Sequence, residues 1–339
     1  MEYELTPEAI EPGLGAALPA VFEIRKQREF GRGERHSPAT TDLPGPRWVR
    51  RRRSSCGSSR RGCRNPRAWP GRTSSPETTV AILWSPLRGW GPCGHFTSED
   101  RILSTFVIVP GAWDTPATLE PLLEPLESAG HEVIVVDLPC DDAAATLEQY
   151  ADAVRAVLPD DLADAVLVGY SFGGFTAARI AVEHPELPVV YVAAWIPRPG
   201  ASVLDIFMGG DPFADADEDA GIAAFGGLIV SAGPGRCALN IDQYVAAADP
   251  SERDAVRSYL ERTQRPQGIA ALRQKWHGDL PTSVRRTYIL TTADTLVPPE
   301  LQRTMAASVD AEIVEIATGH GPFREQPERL AELLVAATR

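Results

Sequence analysis

Lysine is almost absent from this chain: Lys26 and Lys275 stand against 31 arginines. Such a bias belongs to a GC-rich coding sequence, where upstream reading frames open easily. Cysteine is sparse too. Cys56, Cys63, Cys93, Cys140 and Cys237 are an odd number without framework spacing, which excludes a disulfide scaffold and fits a reduced, cytoplasmic protein. No apolar run reaches the ~18–20 residues that span a bilayer, so no membrane helix or membrane partner is expected. A charged-then-apolar leader is missing from the start. No phosphate-binding glycine loop, dinucleotide fingerprint or metal-ligand spacing occurs, and neither a cofactor nor a metal is expected.

What the chain does contain is divided unevenly. Its net charge of −13 is the sum of +5 over residues 1–100 (16 Lys+Arg, 11 Asp+Glu) and −18 over residues 101–339 (17 against 35). Ten arginines and no acid lie between Asp42 and Glu77, among Pro, Gly and Ser. This composition cannot bury enough apolar surface to offset the entropy of ordering, so residues 1–100 read as a disordered segment, a tail or the product of a start codon set too far upstream. An RNA- or DNA-binding arm would need a stacking pattern or module that is missing here. Cys56, Cys63, His36 and His95 have no zinc-ligand spacing. The acidic remainder argues against a nucleic-acid partner for the folded part.

From Ile102 the texture changes to apolar runs alternating with helical segments. Thr105 to Val109 precedes Thr118 to Ala129; Glu132 to Val136 precedes Leu147 to Leu158; Ala165 to Val168 precedes Gly174 to Val182; Val189 to Ala193 follows. After an excursion come Thr287 to Leu290, Gln302 to Ser308, Glu312 to Ile316 and Glu328 to Ala337. This alternation predicts an α/β domain over 101–339: a mostly parallel sheet of about six strands with helices on both faces. The excursion, about residues 199–284, reads as a helical lid without strands, with helices at Asn240 to Ala248, Glu252 to Thr263 and Gly268 to Trp276.

The stretch Ala165 to Arg179, AVLVGYSFGGFTAAR, carries the chemistry. A buried strand must turn sharply into a helix at Gly169-Tyr170-Ser171-Phe172-Gly173, which fits G-x-S-x-G in the context that gives the motif meaning. The turn lifts the Ser171 hydroxyl above the sheet at the start of a helix. Such a serine needs a base and the base needs an orienting acid, in the chain order Ser, acid, His. His36 and His95 fall in the arginine-rich segment, His131 in a turn, His184 at the far end of the helix, and His277 before the acid-bearing strand. His320, in a glycine-flanked loop after the last strand, remains. Asp294 follows the next-to-last strand, unlike Asp279 and Asp310. The oxyanion-hole donors are expected to be the N–H groups of Phe172 and of Ala112, in the loop after the first strand. Gly111, Trp113 and Tyr170 are the expected pocket residues. Cys140 has no base placed for it and is a weaker nucleophile.

Residues from about Ser104 onward resemble an α/β-hydrolase of the small methylesterase and hydroxynitrile-lyase-like branch. The resemblance rests on Val109-Pro110-Gly111-Ala112-Trp113, Ala129-Gly130-His131-Glu132-Val133, Gly169-Tyr170-Ser171-Phe172-Gly173, Ala194-Trp195-Ile196-Pro197-Arg198-Pro199-Gly200 and Gly319-His320. Pro110 stands where that family usually has histidine. Gly321 stands where the lyases have a lysine, which argues against cyanohydrin cleavage. The resemblance implies a serine hydrolase that cleaves a small carboxylic ester through Ser171, His320 and Asp294, without a cofactor. The alternative from another class is a small-molecule receptor built on the same fold.

Overall fold

The computed structural model describes residues 103–338 apart from 215, 216 and 249. The arginine-rich segment expected to be a tail lies outside the described residues. In chain order the strands are β1 (Thr105–Val109), β2 (Glu132–Val135), β3 (Ala165–Tyr170), β4 (Val189–Val192), β5 (Ile229–Ser231), β6 (Arg236–Leu239), β7 (Gln267–Gly268), β8 (Arg286–Thr291) and β9 (Glu312–Ile316). The helices are α1 (Glu120–Ser128), α2 (Leu147–Arg155), α3 (Gly173–Glu183), α4 (Val203–Met208), α5 (Glu218–Ala223), α6 (Ile241–Ala247), α7 (Arg253–Thr263), α8 (Ile269–Arg273), α9 (Pro299–Ala307), α10 (Pro322–Glu325) and α11 (Pro327–Ala336).

Six strands form one sheet in the order β2-β1-β3-β4-β8-β9, and every pairing is parallel. The central strands are apolar at successive positions because both faces are covered. In β1, Phe106 and Ile108 belong to one core with Leu122 and Leu126 of α1 and Leu330 and Leu334 of α11. Val107 and Val109 belong to the other, with Tyr150 and Val154 of α2 and Phe175 and Ala178 of α3. Alternate side chains of a strand point to opposite faces, so this split places helices on both sides of the sheet. Helix α2 starts at a capping box, with Thr146 and Gln149 satisfying each other's backbone donors.

The excursion between β4 and β8 is an insertion in the sheet's connectivity, since those two strands are direct neighbours. The expectation of helices alone is wrong for it. The expected helices are there as α6, α7 and α8, but β5, β6 and β7 form a separate antiparallel sheet. The turn Gly233-Pro234-Gly235 supplies the reason, with Gly233 and Gly235 at φ 98° and 70°, a region that side chains rarely allow.

Candidate active site

The site stands at the carboxyl ends of the sheet strands, the edge where open parallel sheets bind ligands. Strand β3 runs straight into α3 through Ser171, whose φ is +51°. For a non-glycine residue this is strained backbone, and the surrounding hydrogen bonds hold it. The Ser171 N–H donates to Val192 O at 3.2 Å, and its carbonyl accepts the N–H groups of Trp195 (3.0 Å) and Gly174 (3.1 Å). Gly173 is required by close approach: a Cβ there would strike the carbonyl oxygens of Val109 and Pro110.

His320 and Asp294 arrive from the other side of the sheet. The His320 Nε2 lies 3.0 Å from Ser171 Oγ, and its Nδ1 lies 2.7 Å from Asp294 Oδ2. An ionised carboxylate only accepts, so the Nδ1 carries the proton and Nε2 is free to accept one from the serine. The three residues expected from their order along the chain are therefore joined in one line of hydrogen bonds. Tyr170 packs its ring 5.3 Å from that of His320 and 4.9 Å from Phe323, closing one side of the imidazole.

Asp294 is 3% exposed and its carboxylate is fully engaged. Besides His320, Oδ2 accepts the Thr291 hydroxyl at 2.9 Å, and Oδ1 accepts the N–H groups of Leu296 (2.8 Å) and Val297 (2.9 Å). Burial alone would raise its pKa, but His320 and these donors outweigh it and hold the carboxyl below the usual range. His320 shows the reverse balance. Burial disfavours its charge, and Asp294 in contact, with Asp114 further off, raises its pKa above the ordinary 6.5.

Two supporting residues escaped the sequence reading. Thr291, at the end of β8, binds Asp294 directly. Gln302 of α9 is fully buried; its Nε2 donates to Val297 O (2.6 Å) and Thr291 Oγ1 (2.9 Å), and its Oε1 accepts the Thr291 N–H (3.1 Å). The available signal for Gln302 was a lone polar residue on the helix face that also carries Met305 and Ala306.

The loop after β1 lies against the serine. A Cβ on Gly111 would stand 2.9 Å from Ser171 Cβ, so only glycine fits. Among the described residues, no protein acceptor takes the N–H of Ala112 or of Phe172. Trp113 is half-buried at φ +65°, its N–H 3.4 Å from Gln267 Oε1 and its carbonyl accepting the Arg265 N–H at 2.8 Å. Cys140 is a buried thiol that burial pushes up to about 11, with Arg265 Nε 2.8 Å from its sulfur. At that value it is neutral and no nucleophile. Asp310 sits in the turn before β9, away from this edge.

A model of the alpha/beta hydrolase family matches residues 106–333. Norfluorocurarine synthase 2 from Strychnos sp is 27% identical over 260 residues, which cover 69% of this chain and 94% of that protein. A pyrethroid hydrolase from Sphingobium wenxiniae is 23% identical over 256 residues, 68% of this chain and 86% of its own. The crystal structure of polyneuridine aldehyde esterase superposes with a TM-score of 0.55 at 24% identity, over 70% of this chain and 100% of that one, a likeness of fold.

Proposed function

The chain belongs to the alpha/beta hydrolase family and is a carboxylesterase-like hydrolase, and on that premise we propose that it cleaves a small carboxylic ester through an acyl-enzyme on Ser171. The observation that carries this reading is the unbroken line Ser171–His320–Asp294, with contacts of 3.0 and 2.7 Å. His320 Nε2 takes the hydroxyl proton as Ser171 Oγ attacks the ester carbonyl carbon. The oxyanion that forms is met by the N–H groups of Ala112 and Phe172. Collapse of the tetrahedral intermediate expels the alcohol, which leaves with the proton from Nε2. Water then repeats the sequence on the acyl-enzyme: Nε2 takes its proton, the carboxylic acid departs, and Ser171 recovers its own. Asp294 keeps the proton on Nδ1 and stabilises the imidazolium of each transition state. The insertion serves as the lid over the substrate.

The test is Ser171→Ala assayed on a chromogenic short-chain ester. It should lose on the order of 10³-fold or more in kcat while staying folded. A fluorophosphonate should label wild type at one serine and spare the variant. A folded Ser171→Ala protein with most of its activity would sink the assignment. Wild type that binds esters without turning them over would favour a receptor.

A further inference from the structure

The loop after β1 carries a second buried acid that the reaction as written does not use. Asp114 is 6% exposed, and both its oxygens are occupied. Oδ2 accepts the Gly111 N–H at 3.0 Å, and Oδ1 accepts Gln264 Nε2 at 2.8 Å. Gln264 belongs to the insertion, and its backbone also forms an antiparallel bridge with that of Asp114. The same short limb, residues 263–267, takes hold of the loop elsewhere. Thr263 O accepts the Thr115 N–H (3.0 Å), the Thr115 hydroxyl (2.8 Å) and the Thr118 hydroxyl (3.0 Å). The Arg265 N–H donates to the Trp113 carbonyl, and Gln267 Oε1 accepts the Trp113 N–H, so the peptide units on both sides of Trp113 are held.

These ties surround one residue. Gly111 is fixed by Asp114, and Trp113 is fixed in a backbone conformation that survives only where its surroundings over-determine it. Ala112 stands between them with its N–H uncommitted. The Cβ position of Gly111 is 2.8 Å from Asp114 Oδ2 and 2.9 Å from Ser171 Cβ, so carboxylate and serine meet across a single glycine. Resting on the reading of Ser171 as nucleophile, we propose that Asp114 is a positioning residue: anchored on the insertion by Gln264, it holds the Gly111–Trp113 turn so that the Ala112 N–H meets the developing oxyanion.

The groups facing Asp114 are His320, Tyr170 of β3, Tyr244 of α6, Tyr259 of α7 and Cys140. Burial pushes the tyrosines and the thiol upward, so they stay neutral, and His320 is the neighbour whose charge changes between about pH 5 and 8. Removing the charge at 114 therefore lowers the pKa of His320.

Steady-state kinetics on one chromogenic ester provide the test. Asp114→Ala should lower kcat about 10²-fold, with KM within about threefold of wild type. Asp114→Asn should recover to within about fivefold, because its amide oxygen still accepts the Gly111 N–H. Its new NH₂ finds an acceptor in Gln264 Oε1, which is buried and unpartnered. In the same variant the acid limb of kcat/KM should move to lower pH, because the negative charge at 114 helps to hold the His320 pKa up. Gln264→Leu, which removes the anchor, should lower kcat about tenfold. Wild-type kcat in folded Asp114→Ala overturns the proposal, and so does equal damage in Asp114→Ala and Asp114→Asn. If Asp114→Ala fails to fold, wild-type kcat in Gln264→Leu together with an unmoved acid limb in Asp114→Asn overturns it. Failure of the underlying serine reading is distinguishable, since Ser171→Ala would then remain active whatever the Asp114 variants did, and the proposal would fall with it.

Discussion

Asp294 and Asp114 are buried to nearly the same depth, 3% and 6% exposed, and both act on the charge of His320. Their carboxyls nevertheless move in opposite directions. Asp294 is held below the usual range, whereas burial pushes Asp114 up to about 6. The difference lies in what reaches each one. Asp294 has His320 at 2.7 Å, two backbone N–H groups and a hydroxyl. Asp114 has one backbone N–H and an amide within 3.0 Å, and among the described residues no arginine or lysine pairs with it. Desolvation is the first cause for both; the number and charge of the donors decide the sign. One acid is built to remain ionised beside a base. The other is built into a joint, and its charge is tolerated there.

The sharpest way to break this comparison is Asp294→Asn. It should lower kcat on the order of 10⁴-fold with little change in KM, because the amide favours the wrong imidazole tautomer. A loss no greater than that of Asp114→Asn would erase the distinction between the two acids.

The next effect is on stability. The Asp114 carboxyl has a higher pKa folded (about 6) than unfolded (about 3.8), so the native state binds the extra proton between those values. Its contribution is therefore most favourable below the unfolded value and is lost as pH rises through about 6, by about 3 kcal/mol. Asp294 has the opposite sign: its folded pKa is depressed, and the stability it contributes above the unfolded value is lost as pH falls. Urea midpoints at pH 4 and pH 7 bracket the Asp114 change, whereas that of Asp294 falls below its unfolded value. Asp114→Asn should gain on wild type as pH rises, and an identical pH dependence in both proteins would contradict the assignment.

A smaller change should follow from Gln302→Leu, which removes the amide that braces Thr291 and the Asp294 turn. We expect about a tenfold loss in kcat, without the pH shift of Asp114→Asn, because no charge is removed. Asp310→Asn should change kcat by less than about twofold. It controls for loss of negative charge in an acidic domain, being in the turn before β9 and outside both networks.

The line of Ser171, Asp294 and His320 was legible because each residue follows a strand whose apolar run is strong enough to locate, and the sheet brings strand ends together. The joint around Asp114 was not. An aspartate after Gly111-Ala112-Trp113 reads as a turn residue, and its partner Gln264 lies 150 positions away. Nothing local distinguishes Gln264 from the polar residues around it. The small sheet of the insertion was hidden for another reason. Its strands are three, four and two residues long, too short for a two-residue periodicity to register against the helical patterns beside them. The turn Gly233-Pro234-Gly235 was the one readable sign of the hairpin.

Because the insertion leaves from β4 and returns to the adjacent β8, its length is free to drift without shifting any strand of the main sheet. That freedom is uneven along its course. Among the described residues, the stretch from α4 to α6 places no hydrogen bond on the Asp114 carboxylate and can be exchanged, in laboratory recombination or by descent, to admit new substrates. Residues 263–267 are inherited on other terms. A donor sequence that brings a different limb there brings a different neighbour to Asp114, so a chimera that crosses over between α7 and α8 should inherit the substrate range of one parent and the turnover of neither. Crossing over before α7 keeps the joint whole.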